Sequence, residues 1–457
     1  MADSHWTAEA LQVLESAQKR SASYLAGLEH RAVAAPPEAV AALKRLDGPL
    51  PAQGCAPEQT LALLDELVSP ATMAMAGPRF FGFVIGGVLP AALAANWLAG
   101  AWDQNAAFFG PTPGVARLEQ LALRWLIELF DLPPESSAAF VTGATVSNFT
   151  ALAAARHAVL ARAGWNVEAD GLFGAPPITV LVGNEAHPSL LKSLGMLGLG
   201  RSRVVRVPVD DQGRMRAEAL PEIHGPTILC LQAGNVNTGA SDPLAALAAA
   251  GRRQGAWVHV DGAFGLWAKA SPRLRAQVEG IESADSWATD AHKWLNVPYD
   301  SGVALVRDAN ALSAAMAVTA DYLPAAGAER NPCDVTPELS RRARGVEVWA
   351  ALHSLGRDGI AALIERNCAQ ARLFAARLAA AGYSVHNEVV LNQVLVSFGD
   401  DRRTRAVVAA LQREGTCWCG ITVWQGHTAM RISVSNWSTR DEDVERSVAA
   451  MLRIARG

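Results

Sequence analysis

The chain has 457 residues, of which 50% are apolar and 18% are charged, and its formal net charge is −4. This length and composition predict two or three domains with a large buried core. The small negative charge gives no electrostatic basis for binding nucleic acid or an anionic membrane, so a small-molecule ligand is favoured.

Residues 1–75 show helical periodicity in two runs, 8–19 and 57–68, which proline-rich breaks separate. The segment is too short and too interrupted for a domain, so we expect it to wrap onto the main domain or another subunit. It carries neither the basic nor the apolar part of an export signal, and we expect a cytoplasmic protein. The six cysteines form no CxxC pair, which favours reduced, buried thiols over a zinc site.

The stretch 80–102 contains no formally charged residue and is long enough to span a bilayer. It also contains Gly86, Gly87, Pro90 and Asn96, which would interrupt a membrane helix. We therefore expect this stretch to be buried within a globular protein.

Short β-branched runs alternate with helical stretches between residues 76 and 325. The expected strands are 138–142, 178–182, 202–207, 227–232, 257–260, 286–289 and 303–306. Strands alternating with helices predict an α/β domain, with a mostly parallel sheet covered on both faces. Beyond a loop at 324–337, the pattern predicts a small α+β domain with helical runs over 338–381, strands at 393–398, 420–424 and 429–434, and a final helix over 441–456.

Lysine is rare in this chain, because only five of the forty basic residues are lysines. Lys293 follows an expected strand in the segment Asp285-Ser-Trp-Ala-Thr-Asp-Ala-His-Lys-Trp, where its side chain can project from a turn into a cleft. Forming an imine with an aldehyde is a task that arginine does not perform, since guanidinium stays protonated whereas ammonium can lose its proton. The alternative is an ordinary loop lysine.

Asp261 ends the apolar run 257–260. In parallel sheets ligands bind at the carboxyl ends of the strands, and a buried aspartate requires a partner. The protonated pyridine nitrogen of pyridoxal 5′-phosphate (PLP) would be such a partner. A helix cap or a structural salt bridge is the alternative.

Two further segments follow expected strands. In 138–148, a strand, then small and hydroxylic residues, then a helix start predict an anion site with free backbone N–H groups, although an ordinary capped helix has the same pattern. His187 follows the strand 178–182 and could lie over a ring, or be a packed or capping histidine. No GxGxxG or Walker motif is present, so nucleotide binding is not supported.

The expected anion site, His187, Asp261 and Lys293 occur in this order along the chain, each after an expected strand. In that order and in the motif Asp-x-His-Lys-Trp, the chain resembles the group II PLP-dependent amino-acid decarboxylases, which have fold type I of the aspartate aminotransferase superfamily. The resemblance extends from Pro78-Arg-Phe-Phe-Gly to Met430-Arg-Ile-Ser-Val-Ser-Asn-Trp. It implies a PLP-dependent transferase fold with a helical N-terminal segment (1–75), a large PLP domain (76–325) and a small domain (326–457), in a homodimer whose active site lies at the subunit interface.

The resemblance implies roles for the matching residues. Lys293 would hold PLP as a Schiff base, and Asp261 would pair with its pyridine nitrogen. His187 and Ala263 would lie against opposite faces of the ring. The phosphate would be held by Ala144, Thr145, Asp290 and His292. Asp290 stands where some members have asparagine, and its carboxylate would repel a phosphate.

The implied activity is release of CO2 from an L-amino acid to give the amine. Tyr322, or alternatively His187, would supply the proton to Cα, and Tyr322 precedes a Gly- and Pro-containing loop suited to a lid. A tyrosine packed at a domain junction is the alternative. Without a competent proton donor, a PLP-dependent carbon–carbon lyase of the aldolase type or an oxidative, aldehyde-forming enzyme is the rival.

The resemblance also implies a substrate pocket. Its matching residues are Phe80, Phe81, Phe108 and Phe109. They favour an aromatic or apolar amino acid, although core packing explains any single phenylalanine equally well. Arg431 would contact a carboxylate or, as we favour, form a salt bridge in the small domain. A non-catalytic PLP-fold protein would lack the lysine or the aspartate, and a metal hydrolase has no HExxH motif to support it.

Overall fold

The structure, a computed structural model of the chain, describes residues 6–318 and 329–457. The helices are α1 (Ala8–Gly27), α2 (Pro37–Ala42), α3 (Pro57–Leu63), α4 (Ser69–Ala71), α5 (Pro90–Trp102), α6 (Pro113–Leu129), α7 (Ala144–Arg162), α8 (Val167–Asp170), α9 (Pro188–Met196), α10 (Leu244–Arg253), α11 (Ala291–Trp294), α12 (Ala309–Met316), α13 (Gly345–Ala380, interrupted at Gly356), α14 (Asp401–Glu414) and α15 (Asp441–Arg456). The strands are β1 (Phe80–Phe81), β2 (Ser137–Val141), β3 (Thr179–Gly183), β4 (Val205–Val207), β5 (Thr227–Gln232), β6 (Trp257–Asp261), β7 (Ser286–Asp290), β8 (Gly302–Val306), β9 (Ser384–Val385), β10 (Gln393–Ser397), β11 (Trp418–Trp424) and β12 (His427–Ser433).

Within the described residues, the larger sheet has seven strands in the order β2-β8-β7-β6-β5-β3-β4. Strand β8 runs antiparallel to both of its neighbours, and the other pairs are parallel. Along β5, Leu229 and Leu231 belong to one apolar core, whereas Ile228 and Cys230 belong to another. Successive side chains on a strand point to opposite faces, so both faces of the sheet are covered. The α/β fold class and all seven expected strands are confirmed.

The smaller sheet has the order β1-β11-β12-β10-β9. All its pairs are antiparallel except β1 with β11. Its core contains Phe81, Phe374, Phe398 and Met430. Strand β1 lies more than 300 positions before the other strands of this sheet, so the chain ahead of α5 contributes to it. The domain boundaries expected from the sequence stay a prediction.

The N-terminal segment lies on the surface. No residue of α1 is buried in the described chain, and Leu11 and Leu14 are exposed. Arg20 on α1 pairs with Glu58 and Asp65, both at 2.9 Å, which attaches α1 to the region of α3. The segment thus has an apolar surface that its own chain does not cover.

The uncharged stretch 80–102 forms β1, a loop and the 13-residue helix α5. Ala92 and Ala99 of α5 are buried, but Trp97, Leu98 and Trp102 are exposed. The expectation of burial is therefore wrong for the outer face of α5, since apolar residues occupy both faces of this short helix. Across the described part of the chain, no helix combines the length and the hydropathy needed to span a membrane.

A fully buried ion pair joins the loop before α13 to α6 and the large sheet. Both carboxylate oxygens of Glu119 lie 2.9 Å from Nη1 of Arg341. Arg341 also donates to the carbonyl oxygens of Ala106 and Phe140, at 2.9 and 2.8 Å. Removing one partner of a buried pair leaves the other charge uncompensated.

Glu119→Gln should therefore lower the free energy of unfolding by about 3 kcal/mol, because the guanidinium keeps its burial but loses its counter-charge. Chemical denaturation followed by circular dichroism measures the change. Glu128→Gln is the matched control on α6, since the pair that Glu128 forms with Arg124 is exposed and should contribute less than about 1 kcal/mol. Equal unfolding midpoints for the two variants would contradict the prediction.

The six cysteines are free thiols, and only Cys55 is exposed. The expectation of buried thiols is thus right for five and wrong for Cys55. Burial raises the pKa of Cys333 to about 11 and that of Cys368 to about 12, which leaves little reactive thiolate at neutral pH. Titration with dithiobis-nitrobenzoate should modify one thiol in the native protein and six in denaturant. Cys55→Ser should abolish the native reaction, and residual reaction in this variant would show that a buried thiol becomes accessible.

Candidate active site

Lys293 lies on the short helix α11, directly after β7 at the centre of the large sheet. Its side chain is 18% exposed, and its Nζ is 2.9 Å from Oδ2 of Asp290. A Cβ atom added to Gly86 would lie 1.9 Å from the carbonyl oxygen of Lys293, so this contact requires glycine. The loop after β1 thus packs directly against the backbone that carries the lysine.

Asn296 fixes the turn that follows Lys293. Its Oδ1 accepts from the N–H of Gly87 at 2.6 Å and from that of Trp437 at 2.9 Å. Its Nδ2 donates to the carbonyl oxygens of Trp294 and Ser435. One buried amide therefore connects the lysine turn, the loop after β1 and the segment after β12.

Asp261 ends β6 and is 3% exposed. Its Oδ2 accepts from Nδ2 of Asn148 at 3.2 Å, and its Oδ1 accepts from the N–H of Ala263 at 3.2 Å. Burial raises the pKa of this carboxyl, and the charges of His187 and Lys293 act in the opposite direction. These three groups thus lie within electrostatic reach of each other.

His187 caps the N-terminus of α9 and lines a narrow crevice together with Asp261. Its Nδ1 accepts from the N–H of Ser189 at 3.2 Å. Burial lowers the pKa of His187, so the imidazole is neutral near pH 7 and carries its proton on Nε2. The capping role considered for this histidine is real, and it fixes the tautomer of the ring.

The predicted anion site lies at the N-terminus of α7. The N–H of Ala144 donates to Oδ1 of Asp290 at 2.6 Å, so a protein carboxylate takes the amide that the sequence assigned to a phosphate. A Cβ atom on Gly302 would lie 2.4 Å from Cα of Gly143, which explains why two glycines meet here. A phosphate at this amide must displace the Asp290 carboxylate or share the site with it.

His292 and Thr145 border the same site. Nδ1 of His292 accepts from the N–H of Ser301 at 3.1 Å, its Nε2 lies 3.5 Å from Oδ1 of Asp290, and its ring stacks on Tyr299 at 4.2 Å. Burial lowers the pKa of His292. The carbonyl oxygen of Thr145 accepts from Oγ of Ser193 at 2.7 Å, which fastens α7 to α9.

The structure brings most of the expected residues to one edge of the sheet. Ala263 contacts Asp261, and its carbonyl oxygen accepts from the N–H of Asp290 at 2.9 Å, so it connects the ends of β6 and β7. The expected proton donor Tyr322 lies outside the described residues. Its role stays a prediction.

The four expected pocket phenylalanines divide into two pairs. Phe80 and Phe81 are each 1% exposed; Phe80 stacks on Trp418, and Phe81 meets Phe374 edge-on in the core of the smaller sheet. Their packing supports the core interpretation. Phe108 and Phe109 lie on the partly exposed loop between α5 and α6, where Asn331 accepts from the N–H of Phe109.

Arg431 differs from the expectation of a salt bridge. Its Nη1 lies 3.4 Å from the carbonyl oxygen of Val236, and no carboxylate pairs with it in residues 6–318 and 329–457. Burial lowers the pKa of Arg431, and its charge in turn lowers the pKa of His187. Arg431 is therefore a largely buried cation near His187 rather than half of an ion pair.

Sequence reasoning missed Asn148, His259, Asn296 and Tyr299. Periodicity could have found the first two. Asn148 lies one helical turn after Ala144 on α7, and His259 lies two residues before Asp261 on β6, so that each faces the same way as a residue already identified. No local pattern marks Asn296, because its partners come from distant parts of the chain.

Comparison with known proteins assigns a family. The family model described as the pyridoxal-dependent decarboxylase conserved domain matches residues 43–398. The chain is 30% identical to L-2,4-diaminobutyrate decarboxylase of Rhizobium meliloti, over 89% of this chain and 84% of the relative. It is 28% identical to an aromatic-L-amino-acid decarboxylase of Bacillus atrophaeus, over 68% and 65%, and 23% identical to phenylacetaldehyde synthase of Arabidopsis thaliana, over 86% and 85%.

Solved structures have the same fold. The crystal structure of Oryza sativa TDC with PLP and tryptamine superposes with a TM-score of 0.91 at 22% identity, over 99% of both chains. That of mouse CSAD gives 0.88 at 23% identity, over 97% of this chain and 98% of the other. Both likenesses confirm the expected fold type I architecture. Together with the family match over most of its length, they show that the chain belongs to the pyridoxal-dependent decarboxylases and is a PLP-dependent carboxy-lyase.

Proposed function

We propose that this enzyme removes CO2 from an L-amino acid, aromatic or apolar by preference, with PLP attached to Lys293. The observation that carries the proposal is the cluster of Lys293, Asp261 and His187 at the carboxyl edge of the large sheet, where the charge of Lys293 acts on both Asp261 and His187. An amine, a buried carboxylate and a neutral imidazole within electrostatic reach suit an aromatic aldehyde with a basic ring nitrogen.

The residues of this edge fit PLP by their chemistry. Asp261 is buried, and its hydrogen-bond partners among the residues that the structure describes are two neutral N–H donors, so it has capacity for a protonated ring nitrogen. The N-terminus of α7 already binds the Asp290 carboxylate, which marks it as an anion site for the phosphate. Bound PLP supplies a protonated ring that takes up the electrons left at Cα when CO2 departs.

The side chains of this chain have separate tasks in the proposed reaction. Lys293 would hold the cofactor covalently through its Nζ. Asp261 would hold the proton on the ring nitrogen, and His187, kept neutral by burial, would pack against the ring without adding charge. Tyr322 donates the proton that replaces CO2 on Cα.

Arg431 is proposed to hold a substrate carboxylate before the reaction. Its guanidinium is largely buried near His187 and lacks a carboxylate partner in the described residues. A buried cation without a counter-ion is costly, and a carboxylate is its natural planar partner. Sequence reasoning considered this role for Arg431 and placed it second.

The preference for an aromatic or apolar substrate now rests on Phe108 and Phe109, because Phe80 and Phe81 are core residues. The relatives include decarboxylases of diaminobutyrate, of acidic amino acids and of aromatic amino acids, and an aldehyde synthase.

A homodimer is proposed as well, since the exposed apolar faces of α1 and α5 suit a second copy. A cytoplasmic location is proposed on the reduced thiols.

The test is an assay of all four products. The PLP-reconstituted enzyme is incubated with aromatic, acidic and diamino acids in turn, and CO2, amine, aldehyde and ammonia are measured. We expect CO2 and amine in equal amounts, fastest with an aromatic or apolar substrate. Tyr322→Phe should lower amine formation about 10²-fold or more, because the Cα proton loses its donor. Aldehyde with ammonia from the wild type would favour the oxidative rival, and an unaltered rate in Tyr322→Phe would exclude that tyrosine as the donor.

A further inference from the structure

A line of four hydrogen bonds runs beneath the edge of the large sheet and ends at Asp261. Trp257 Nε1 lies 2.8 Å from Oγ of Ser286, and that Oγ lies 2.9 Å from Nδ1 of His259. Nε2 of His259 lies 2.8 Å from Oδ1 of Asn148, whose Nδ2 lies 3.2 Å from Oδ2 of Asp261. All five residues are at most 5% exposed, so water does not compete for these bonds.

The side chains in this line of hydrogen bonds come from β6, β7 and α7. His259 and Ser286 are direct partners across β6 and β7, and Trp257 is two residues before His259 on the same face of β6. Asn148 comes from the first turns of α7, which lies across the sheet. The line therefore joins the cofactor edge of the sheet to its interior.

When Asp261 is ionised, the chemistry of the groups allows only one choice of donor and acceptor for each hydrogen bond in this line. An ionised Asp261 only accepts, so Asn148 presents its amide N–H to it and its oxygen to His259. That oxygen requires a proton on Nε2 of His259. Burial lowers the pKa of His259 to about 3, so the neutral ring has a bare Nδ1 that accepts from the hydroxyl of Ser286. The Ser286 oxygen then accepts from the Trp257 indole, which only donates.

We propose that Asn148, His259 and Ser286 are positioning residues that keep Asp261 ionised and correctly oriented toward the ring nitrogen of PLP. The inference rests on the proposed function of Asp261. Each group in the line is held in the donor or acceptor state that its neighbour needs, and hydrogen bonds in such a buried chain strengthen one another. If the polarity were reversed, the oxygen of Asn148 would face the carboxylate and favour its protonated form.

Other groups also act on Asp261, and they decide how the test is designed. Lys293 on α11 favours the ionised carboxylate, as does His187 before α9 when its ring is protonated, whereas burial opposes it. Cys230 on β5 feels the Asp261 charge, but its own pKa is raised so far by burial that the thiol stays neutral. None of these groups is changed by substitution at Asn148 or Ser286, so variants there report on the line alone.

The experiment compares Asn148→Leu, Ser286→Ala, Trp257→Phe and Asp261→Asn with the wild type. Cofactor-free protein is titrated with PLP for the dissociation constant, and the absorbance of bound PLP is then followed against pH. Asn148→Leu should weaken PLP binding about tenfold, through loss of one hydrogen bond to a charged group. It should also shift the absorbance transition to higher pH, because a ring nitrogen without its proton no longer repels a proton on the imine.

Ser286→Ala removes a hydroxyl that three hydrogen bonds separate from the carboxylate of Asp261. It should nevertheless shift the absorbance transition to higher pH, as Asn148→Leu does. Trp257→Phe is the control, because Ser286 keeps its hydroxyl and can still donate to His259; it should lower the melting temperature and leave the transition in place. The inference is overturned if Asp261→Asn shifts the transition while Asn148→Leu and Ser286→Ala leave it unchanged. If the wild type binds no PLP, the proposed function fails and the inference fails with it.

Discussion

Replacing Lys293 with arginine should leave a folded protein that releases CO2 at least about a thousandfold more slowly than the wild type. Arginine keeps a positive charge beside Asp290, whose carboxylate lies 2.9 Å from Nζ of the lysine. Guanidinium forms no imine with PLP, because it stays protonated. The variant thus separates the covalent role of Lys293 from its charge, and each enzyme rate is measured as CO2 release at saturating PLP.

Absorbance before and after borohydride reports on the attachment itself. Wild type should show a PLP imine band that borohydride removes, and Lys293→Arg should show none. Lys192→Ala, on the exposed surface of α9, is the matched control and should behave as the wild type. Lys293→Ala should also be less stable than Lys293→Arg, by up to about 3 kcal/mol, because Asp290 then remains buried without its cation. A reducible band that survives in Lys293→Arg would assign the attachment to another lysine.

The strands of the large sheet were predictable because each is a short apolar run between turns. β5 was predicted to the residue, and the others differ by one to three positions at their ends. The pairing of β1 with β11 was not predictable, since a two-residue strand has no periodicity and its partner lies more than 300 positions away. For the same reason, the sequence did not predict that Phe81 packs in the core of the smaller sheet or that Phe80 is buried against Trp418.

In the candidate active site, too, some features were predictable from the sequence and others were not. Lys293 and His187 follow strands and Asp261 ends one, so the topology of a parallel sheet alone places them together. What they contact depends on distant segments. The carboxylate of Asp290 takes the amide of Ala144 from 146 positions away, and Arg431 ends near His187 rather than in an ion pair. Side-chain partners of this kind follow from packing, which the local pattern does not encode.

Asp261→Asn should lower CO2 release about 10²-fold to 10³-fold and remove the acid limb of the pH profile. Asparagine has nearly the same shape but holds no charge for the ring nitrogen, so the electron sink is weakened. Burial raises the pKa of Asp261 above its ordinary value of 3.8. A protonated Asp261 no longer holds the proton on the ring nitrogen, so the wild-type enzyme should lose activity at acid pH, where the carboxylate takes up a proton, whereas the variant has no such group to titrate.

The raised pKa of Asp261 also determines whether the stability of the cofactor-free protein rises or falls with pH. Because the folded state binds this proton more tightly than the unfolded state, the wild type should lose stability as pH rises from 3.8 through the raised value, and the decrease should be smaller in Asp261→Asn, which keeps only the contributions of other buried acids such as Asp242. Asp242→Asn is the matched control: Asp242 is also buried, and burial raises its pKa to about 6, but it accepts from the backbone N–H groups of Met215 and Gln232 instead of facing the lysine. That variant should be less stable, since one amide loses its acceptor, while its acid limb of activity remains. If Asp242→Asn removed the acid limb and Asp261→Asn kept it, the ring nitrogen would have a partner other than Asp261.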